Sequence, residues 1–295
     1  MFVPLDIART HDRPELGGKA ANLGEIASIG LHVPKGFVVP VRIFDSIAAS
    51  GIPLELRFDP QSVDIALGKH FNAELTTWFD SLGVEFVSVR SSAVVEDSSS
   101  FSFAGVLDSM IGVHRETLVQ AVAKCWAGSC STRARAYCQA NSVALEDIRI
   151  AVIIQSLVNP TTSGVCFTRD PISNRQSHLL IEAAYGFGQA IVSGEVTPDT
   201  YVYDFVTRTI ANRVLSDQQF ELKLIEGQLK ETEVPADVRE MQKLSDAQIH
   251  RLATDCVHIR DHFGSHQDIE FAYDANTLFF LQTRPITGSD KKGKL

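Results

Sequence analysis

The chain has 295 residues, 44% of them apolar and 8% aromatic, with 19 glycines and 11 prolines. This composition excludes a disordered or collagen-like chain and leaves room for one large domain or two lobes of about 150 residues each. A formal net charge of −9, with no basic stripe, argues against nucleic acid or an anionic membrane as partner, so a polyanionic ligand would need locally placed Lys and Arg.

The first pattern is GGKAANLGEIASIGLHVPKGFVV, residues 17–39. Ala20, Leu23, Ile26 and Ala27 predict a helix that ends at Gly30 and passes through the Pro34/Gly36 turn into a strand. Lys19 follows two glycines at the start of that helix. Position 13 is Arg and position 20 is Ala, so the Walker pattern is unmet. A helix start bearing a lysine still suits an anion, the alternative being a solvated lysine beside a structural glycine turn. Residues 41–82 read as helical. EFVSVRSSA (85–93) alternates as a strand carrying Arg90, and the Ser-rich run to Gly105 suits a flap over phosphates or a plain surface loop.

Residues 115–140 are helical, and IRIAVIIQSLV (148–158) is a central strand buried on both faces. SGVCFTRD and residues 178–186 are further strands. YGFGQAIVSG has Ile191 where a dinucleotide fingerprint needs Gly. Residues 199–215 form a hairpin, and 244–263 a helix capped by Ser245 and ending before Gly264. His258, His262 and His266 are spaced by four, but Gly264 interrupts them, which favours a polar helix face over a metal site.

The five cysteines are odd in number and form no CxxC pair, and no apolar run approaches the ~18 residues of a membrane span. The start MFVPLDIART also lacks the pattern of a signal peptide. A cytoplasmic protein is expected. Without regular βαβ alternation the expected class is α+β with two lobes, 1–175 (including a Ser/Gly flap at 91–112) and 176–288, followed by a polar tail at 289–295.

The segment DIEFAYDANTLFFLQTRPIT (268–287) reads as a hairpin. Strand alternation puts Asp268, Glu270 and Ala272 on one side, and Gln282 and Arg284 on one side of the return strand, opposite Phe279, Leu281 and Thr283. A three-residue loop with Asn276 left-handed would set Glu270 against Gln282 and Asp268 against Arg284. Glu270 and Gln282 then offer oxygen ligands of the kind Mg²⁺ accepts, and Arg284 can fork onto a phosphate. The plain alternative is an edge hairpin with its polar side in water.

In order along the chain, GGKAANLGEI, VSVRSSAVVEDSSSFSFAGVLDSMIGV, AVIIQSLVNPTTSGVCFTRDP, IEAAYGFGQAIVSGEVTPD and DIEFAYDANTLFFLQTRPIT resemble the nucleotide-binding region of the phosphoenolpyruvate synthase and pyruvate phosphate dikinase family. Rifampicin phosphotransferase and phenylphosphate synthase use this kind of domain as well. The resemblance implies an ATP-grasp fold with ATP and Mg²⁺ between two lobes. It implies phosphate contacts from Lys19, Arg90 and Arg284, and a flap around Gly105 and Ser109. It also implies adenine held by Gln155, Ser156 and Leu157, Mg²⁺ on Glu270 and Gln282, and Glu182 lining the cleft.

In that family a histidine on a swivelling domain takes the phosphoryl group and a further domain binds the acceptor; neither is expected within these residues. The 41–83 segment is also shorter than usual. The expected function is therefore the ATP-binding part of a dikinase-type phosphotransferase that releases AMP and needs a phosphohistidine domain or subunit and an acceptor-binding domain or subunit. Two readings stay open beside it, a ligase forming an acyl phosphate with release of ADP, and a nucleotide-binding regulatory subunit without turnover.

Overall fold

A computed structural model describes residues 1–52, 58–94, 109–141, 144–170, 175 and 177–286. The chain divides into two compact units, Met1–Ile29 with Pro34–Leu157, and Gly30–Val33 with Val158–Leu295. The division expected after residue 175 falls inside the second unit. Gly105 and the tail lie outside the described residues.

The first unit runs β1 (Val3–Pro4), α1 (Arg13–Ser28), β2 (Gly36–Val39), α2 (Val41–Ala48), α3 (Pro60–Leu82), β3 (Val87–Ala93), β4 (Ser109–Val113), α4 (Leu118–Ala127), α5 (Thr132–Asn141) and β5 (Ile150–Ser156). Its sheet is antiparallel in the order β1-β2-β5-β3-β4. Alternation sends Phe37, Val39, Val87, Val89, Ala93, Ile150, Val152 and Ile154 into one apolar core with Phe44, Ile47, Leu75, Val122 and Trp126. α3 is two helical segments broken at Gly68 (φ 71°), and local signals bracket it: Asp59 caps its start by accepting from Gln61 N and Ser62 N, Pro60 opens it, and Gly83 ends it at φ 67°. The expected flap at 91–112 is too wide. Ser91, Ser92 and Ala93 are buried inside β3, and Ser109 begins β4 opposite Arg90. Over residues 91–93 the strand read at 85–93 prevails over the flap, because the Ser91 and Ser92 hydroxyls donate to Cys125 O and Leu16 O and so sit satisfied within the sheet.

The second unit contains β6 (Thr162–Phe167), β7 (His178–Tyr185), α6 (Gln189–Val192), β8 (Asp199–Asp204), β9 (Thr209–Val214), β10 (Phe220–Ile225), β11 (Gln228–Glu233), α7 (Asp246–Phe263), β12 (Gln267–Asp274) and β13 (Thr277–Pro285). Its six-stranded sheet is ordered β13-β12-β6-β7-β8-β9, with every pair antiparallel. β6 belongs here because it pairs with both β7 and β12. One sheet face carries Cys166, Ile181, Tyr201, Ile269, Phe271, Tyr273 and Phe280, all buried, and α7 supplies the buried Ile249, Leu252, Cys256 and Ile259. Ser245 caps α7 in a capping box with Gln248, and Gly264 closes it at φ 65°. The hairpin β10–β11 was not anticipated. Its two-residue turn at Glu226 and Gly227 has both φ angles positive, the geometry that matches strand twist.

Mixed helices and antiparallel sheets make the class α+β, in agreement with the ATP-grasp expectation. Among the described residues no helix is long and apolar enough to cross a membrane.

Candidate functional site

The residues singled out from the sequence fall into two groups, one in each unit. In the first unit, Ser88, Arg90 and Ser92 alternate onto the sheet face opposite the apolar core. Arg90 lies level with Ser109 on one side and Ile153 on the other, while Ser88 is level with Gln155. Within the same unit Lys19, only 9% exposed, donates from Nζ to Ser91 O at 3.3 Å.

The glycine before it has a definite task. Gly17 takes φ +74°, and a Cβ there would lie 2.1 Å from Ser92 O. The close approach that the glycines permit is therefore to β3. Ser92 Oγ accepts from Ala20 N at 3.2 Å, so one donor at the start of the regular helical segment is engaged by a side chain. At the end of β5, Gln155 Nε2 donates to Pro34 O at 3.0 Å. Ser156 N donates to Lys35 O at 2.7 Å and Leu157 N to Phe86 O at 3.3 Å. These donors already have partners inside the unit.

In the second unit the sheet assembles a polar row. Gln282 is paired with Glu270, Glu270 with Val165, Val165 with Glu182 and Glu182 with Thr200. Residues paired directly across antiparallel strands share a face, so Gln282, Glu270 and Glu182 project to the same side. One pleat away Arg284 is paired with Asp268, donating from Nε at 2.8 Å to Asp268 Oδ2, with Nη2 in an ion pair at 2.7 Å to the same oxygen.

The pairing of acid with amide matches expectation, but the route to it differs. The turn holds two residues, Ala275 and Asn276, and Ala275 rather than Asn276 is left-handed, at φ 50°. With that turn Phe271 faces Phe280, and Glu270 would face Leu281. A bulge between Glu270 and Phe271 makes Leu281 the extra residue and brings Gln282 opposite Glu270. Leu278 and Phe280, not Phe279 and Leu281, consequently join the apolar face.

Charge on the polar face is concentrated. Burial raises the pKa of Glu182, and the nearby Asp268 raises it further. Asp268 is also raised, burial outweighing the lowering by Arg284, and Glu270 adds to the rise. Carboxylates crowded this way favour a bound cation. Among the described residues no group of three or more His, Cys, Asp or Glu is arranged to hold a metal. Glu270 and the Gln282 amide are two oxygen donors paired across strands, a set that fits Mg²⁺, whose remaining positions are usually filled by water and phosphate. His258 and His262 are exposed on α7, and His266 Nδ1 lies 3.1 Å from Thr168 O.

Ionising Glu182 is harder in the folded chain than in the unfolded one. Its raised pKa means that the penalty is absent below the ordinary glutamate range and complete above the folded value. Glu182→Gln is expected to raise the melting temperature of the ligand-free protein at pH about 8 and to leave it unchanged at pH about 3. Thermal scans of both proteins across pH check this, and a gain that persists in acid would contradict it.

The family described as pyruvate phosphate dikinase, AMP/ATP-binding domain, matches residues 13–294. A probable phosphoenolpyruvate synthase of Archaeoglobus fulgidus is 36% identical over 96% of this chain and 41% of that protein. A rifampicin phosphotransferase of Bacillus cereus is 32% identical over 92% of this chain and 34% of that protein. The solved D-alanyl-alanine synthetase A of Vibrio cholerae aligns with 92% of this chain and 58% of that chain, at 10% identity and a TM-score of 0.36. The chain spans less than half the length of the curated phosphoenolpyruvate synthases it matches.

Proposed function

Because the chain belongs to the pyruvate phosphate dikinase AMP/ATP-binding domain family, we propose that it is the nucleotide-binding part of a dikinase-type phosphotransferase. It binds ATP with Mg²⁺ in an ATP-grasp arrangement; of the two terminal phosphoryl groups one passes to a histidine on a separate swivelling domain or subunit and the other goes to water as inorganic phosphate, so that AMP is the nucleotide finally released. A further domain or subunit binds the acceptor. An odd number of cysteines with no CxxC spacing fits a cytoplasmic setting.

One observation carries this reading: the Glu270–Gln282 pair lies one pleat from the Asp268–Arg284 pair on a face that also bears Glu182. Glu270 and Gln282 hold the metal, which when bound neutralises phosphate charge and orients the triphosphate. Asp268 orients the Arg284 guanidinium by one hydrogen bond from Nε and a close ion pair with Nη2, so that it meets phosphate oxygens in a set orientation. Lys19 and Arg90 supply further positive charge, and Ser109, level with Arg90 on the neighbouring strand, offers a hydroxyl to the phosphates. Gln155, Ser156 and Leu157 border the adenine, and since their donors named above are engaged, they meet its amino group through carbonyl oxygens. Phosphoryl transfer demands positioning and charge neutralisation more than covalent chemistry from the protein, which these side chains are suited to give.

The test is product analysis. The chain mixed with ATP, Mg²⁺ and a protein carrying the family's mobile histidine domain should yield AMP, inorganic phosphate and a phosphorylated histidine, with little turnover when that partner is omitted. ADP as the sole product would contradict the dikinase route, and carboxylate-dependent ADP formation would point to an acyl-phosphate ligase.

A further inference from the structure

α1 is broken at Gly17, and the break has a consequence for Arg13. In a continuous helix Arg13 and Asn22 would be separated by about 13 Å along the axis and would point to opposite sides, at 1.5 Å and 100° per residue. Instead the left-handed Gly17 turns the first part of α1 back, and Arg13 Nη2 donates to Asn22 Oδ1 at 2.8 Å. Asn22 is 1% exposed. It follows Lys19 by three residues in the regular part of the helix, so the two are neighbours on one face. The kink therefore delivers a guanidinium to the side of the helix that carries Lys19. The same break presses Gly17 onto Ser92, so that only glycine fits there.

We propose that Arg13, held by the buried Asn22 carboxamide, is a further phosphate-binding cation on the Lys19 side of α1, with Asn22 as its positioning residue. The inference rests on the nucleotide reading above and specifies which ligand groups this helix meets: the charged phosphates of a nucleoside triphosphate. Arginine suits the task because its planar fork can take two oxygens of one phosphate while another nitrogen stays on the amide. Two cations set on one face repel each other, and a polyanion between them relieves that repulsion.

The experiment measures binding of MgATP, AMP and inorganic tripolyphosphate to wild type, Arg13→Gln, Arg13→Lys and Asn22→Ala, with melting temperatures recorded for each. Arg13→Gln is expected to weaken MgATP and tripolyphosphate by about tenfold to a hundredfold, the range for a lost charge-assisted hydrogen bond, while changing AMP much less. Arg13→Lys keeps the charge but loses the fork, and should weaken MgATP by an intermediate factor; it serves where the glutamine variant folds poorly. Asn22→Ala should weaken the same two ligands and spare AMP, whereas a purely structural Asn22 would lower the melting temperature and affect all three ligands alike. Wild type that binds MgATP no better than Arg13→Gln or Arg13→Lys overturns the inference alone. Wild type that binds no MgATP overturns the nucleotide reading, and this inference with it.

Discussion

Glu270→Ala is expected to lose Mg²⁺-dependent ATP binding by about a hundredfold or more while the protein stays folded, more than the ten- to hundredfold typical of groups that only support a metal ligand. The reasoning is geometric. Glu270 is the charged member of the acid–amide pair that the β12–β13 bulge creates, and Gln282 alone offers a single neutral oxygen. Removing Glu270 also takes a negative charge away from Asp268, whose pKa it helps to raise, so the ligand-free protein should not be destabilised electrostatically. Calorimetric titration of ATP with and without Mg²⁺, beside thermal unfolding, checks both halves. Unaltered Mg²⁺ dependence in a folded variant would return this hairpin to an ordinary sheet edge.

The second large effect concerns stability. Lys243 and Asp199 are an ion pair at 3.0 Å with both side chains fully buried. Asp199 also accepts from Ser216 N, Ser216 Oγ, Tyr201 OH and Lys243 N. Lys243 donates in turn to Ser216 O and Arg239 O and lies 5.5 Å from the centroid of the Tyr185 ring. Lys243→Met would keep the length of the side chain but leave the carboxylate buried without its countercharge. Breaking one partner of such a pair typically costs about 3–5 kcal/mol, far more than an exposed pair such as Arg115–Asp80 could contribute. Urea unfolding should show the midpoint falling steeply. A loss below about 1 kcal/mol would mean that the network is not held by its charges.

Most secondary structure was legible from periodicity and punctuation. Ser245 and Gly264 bracket α7 as their residue types imply, and the β-branched run of β5 is the centre of its sheet. What misled was composition read without partners. The flap expected at 91–112 overlapped the strand read at 85–93, and the strand prevails because the Ser91 and Ser92 hydroxyls are satisfied inside β3. The β10–β11 hairpin is only half marked in the sequence: FELKLI alternates apolar with polar residues and Glu226-Gly227 is a turn signal, but QLKETE has Leu229 as its one apolar residue and no apolar alternation to match.

For the candidate site, the pairing of Glu270 with Gln282 was legible but its cause was not. Strand parity shows which residues share a face, whereas a bulge depends on the whole sheet. The raised pKa of Glu182 was equally out of reach, because burial in a sheet row and the proximity of Asp268 arise only once β6, β7 and β12 assemble. The same holds for Arg13, whose meeting with Asn22 follows from one glycine's φ angle.

The most direct measurement is a crystal structure of the protein with Mg²⁺ and a non-hydrolysable ATP analogue. A metal about 2.0–2.1 Å from oxygens of both Glu270 and Gln282, with Arg284, Lys19 and Arg90 on the phosphates, is the predicted result. A nucleotide and metal seated away from Glu270 and Gln282 would contradict the account.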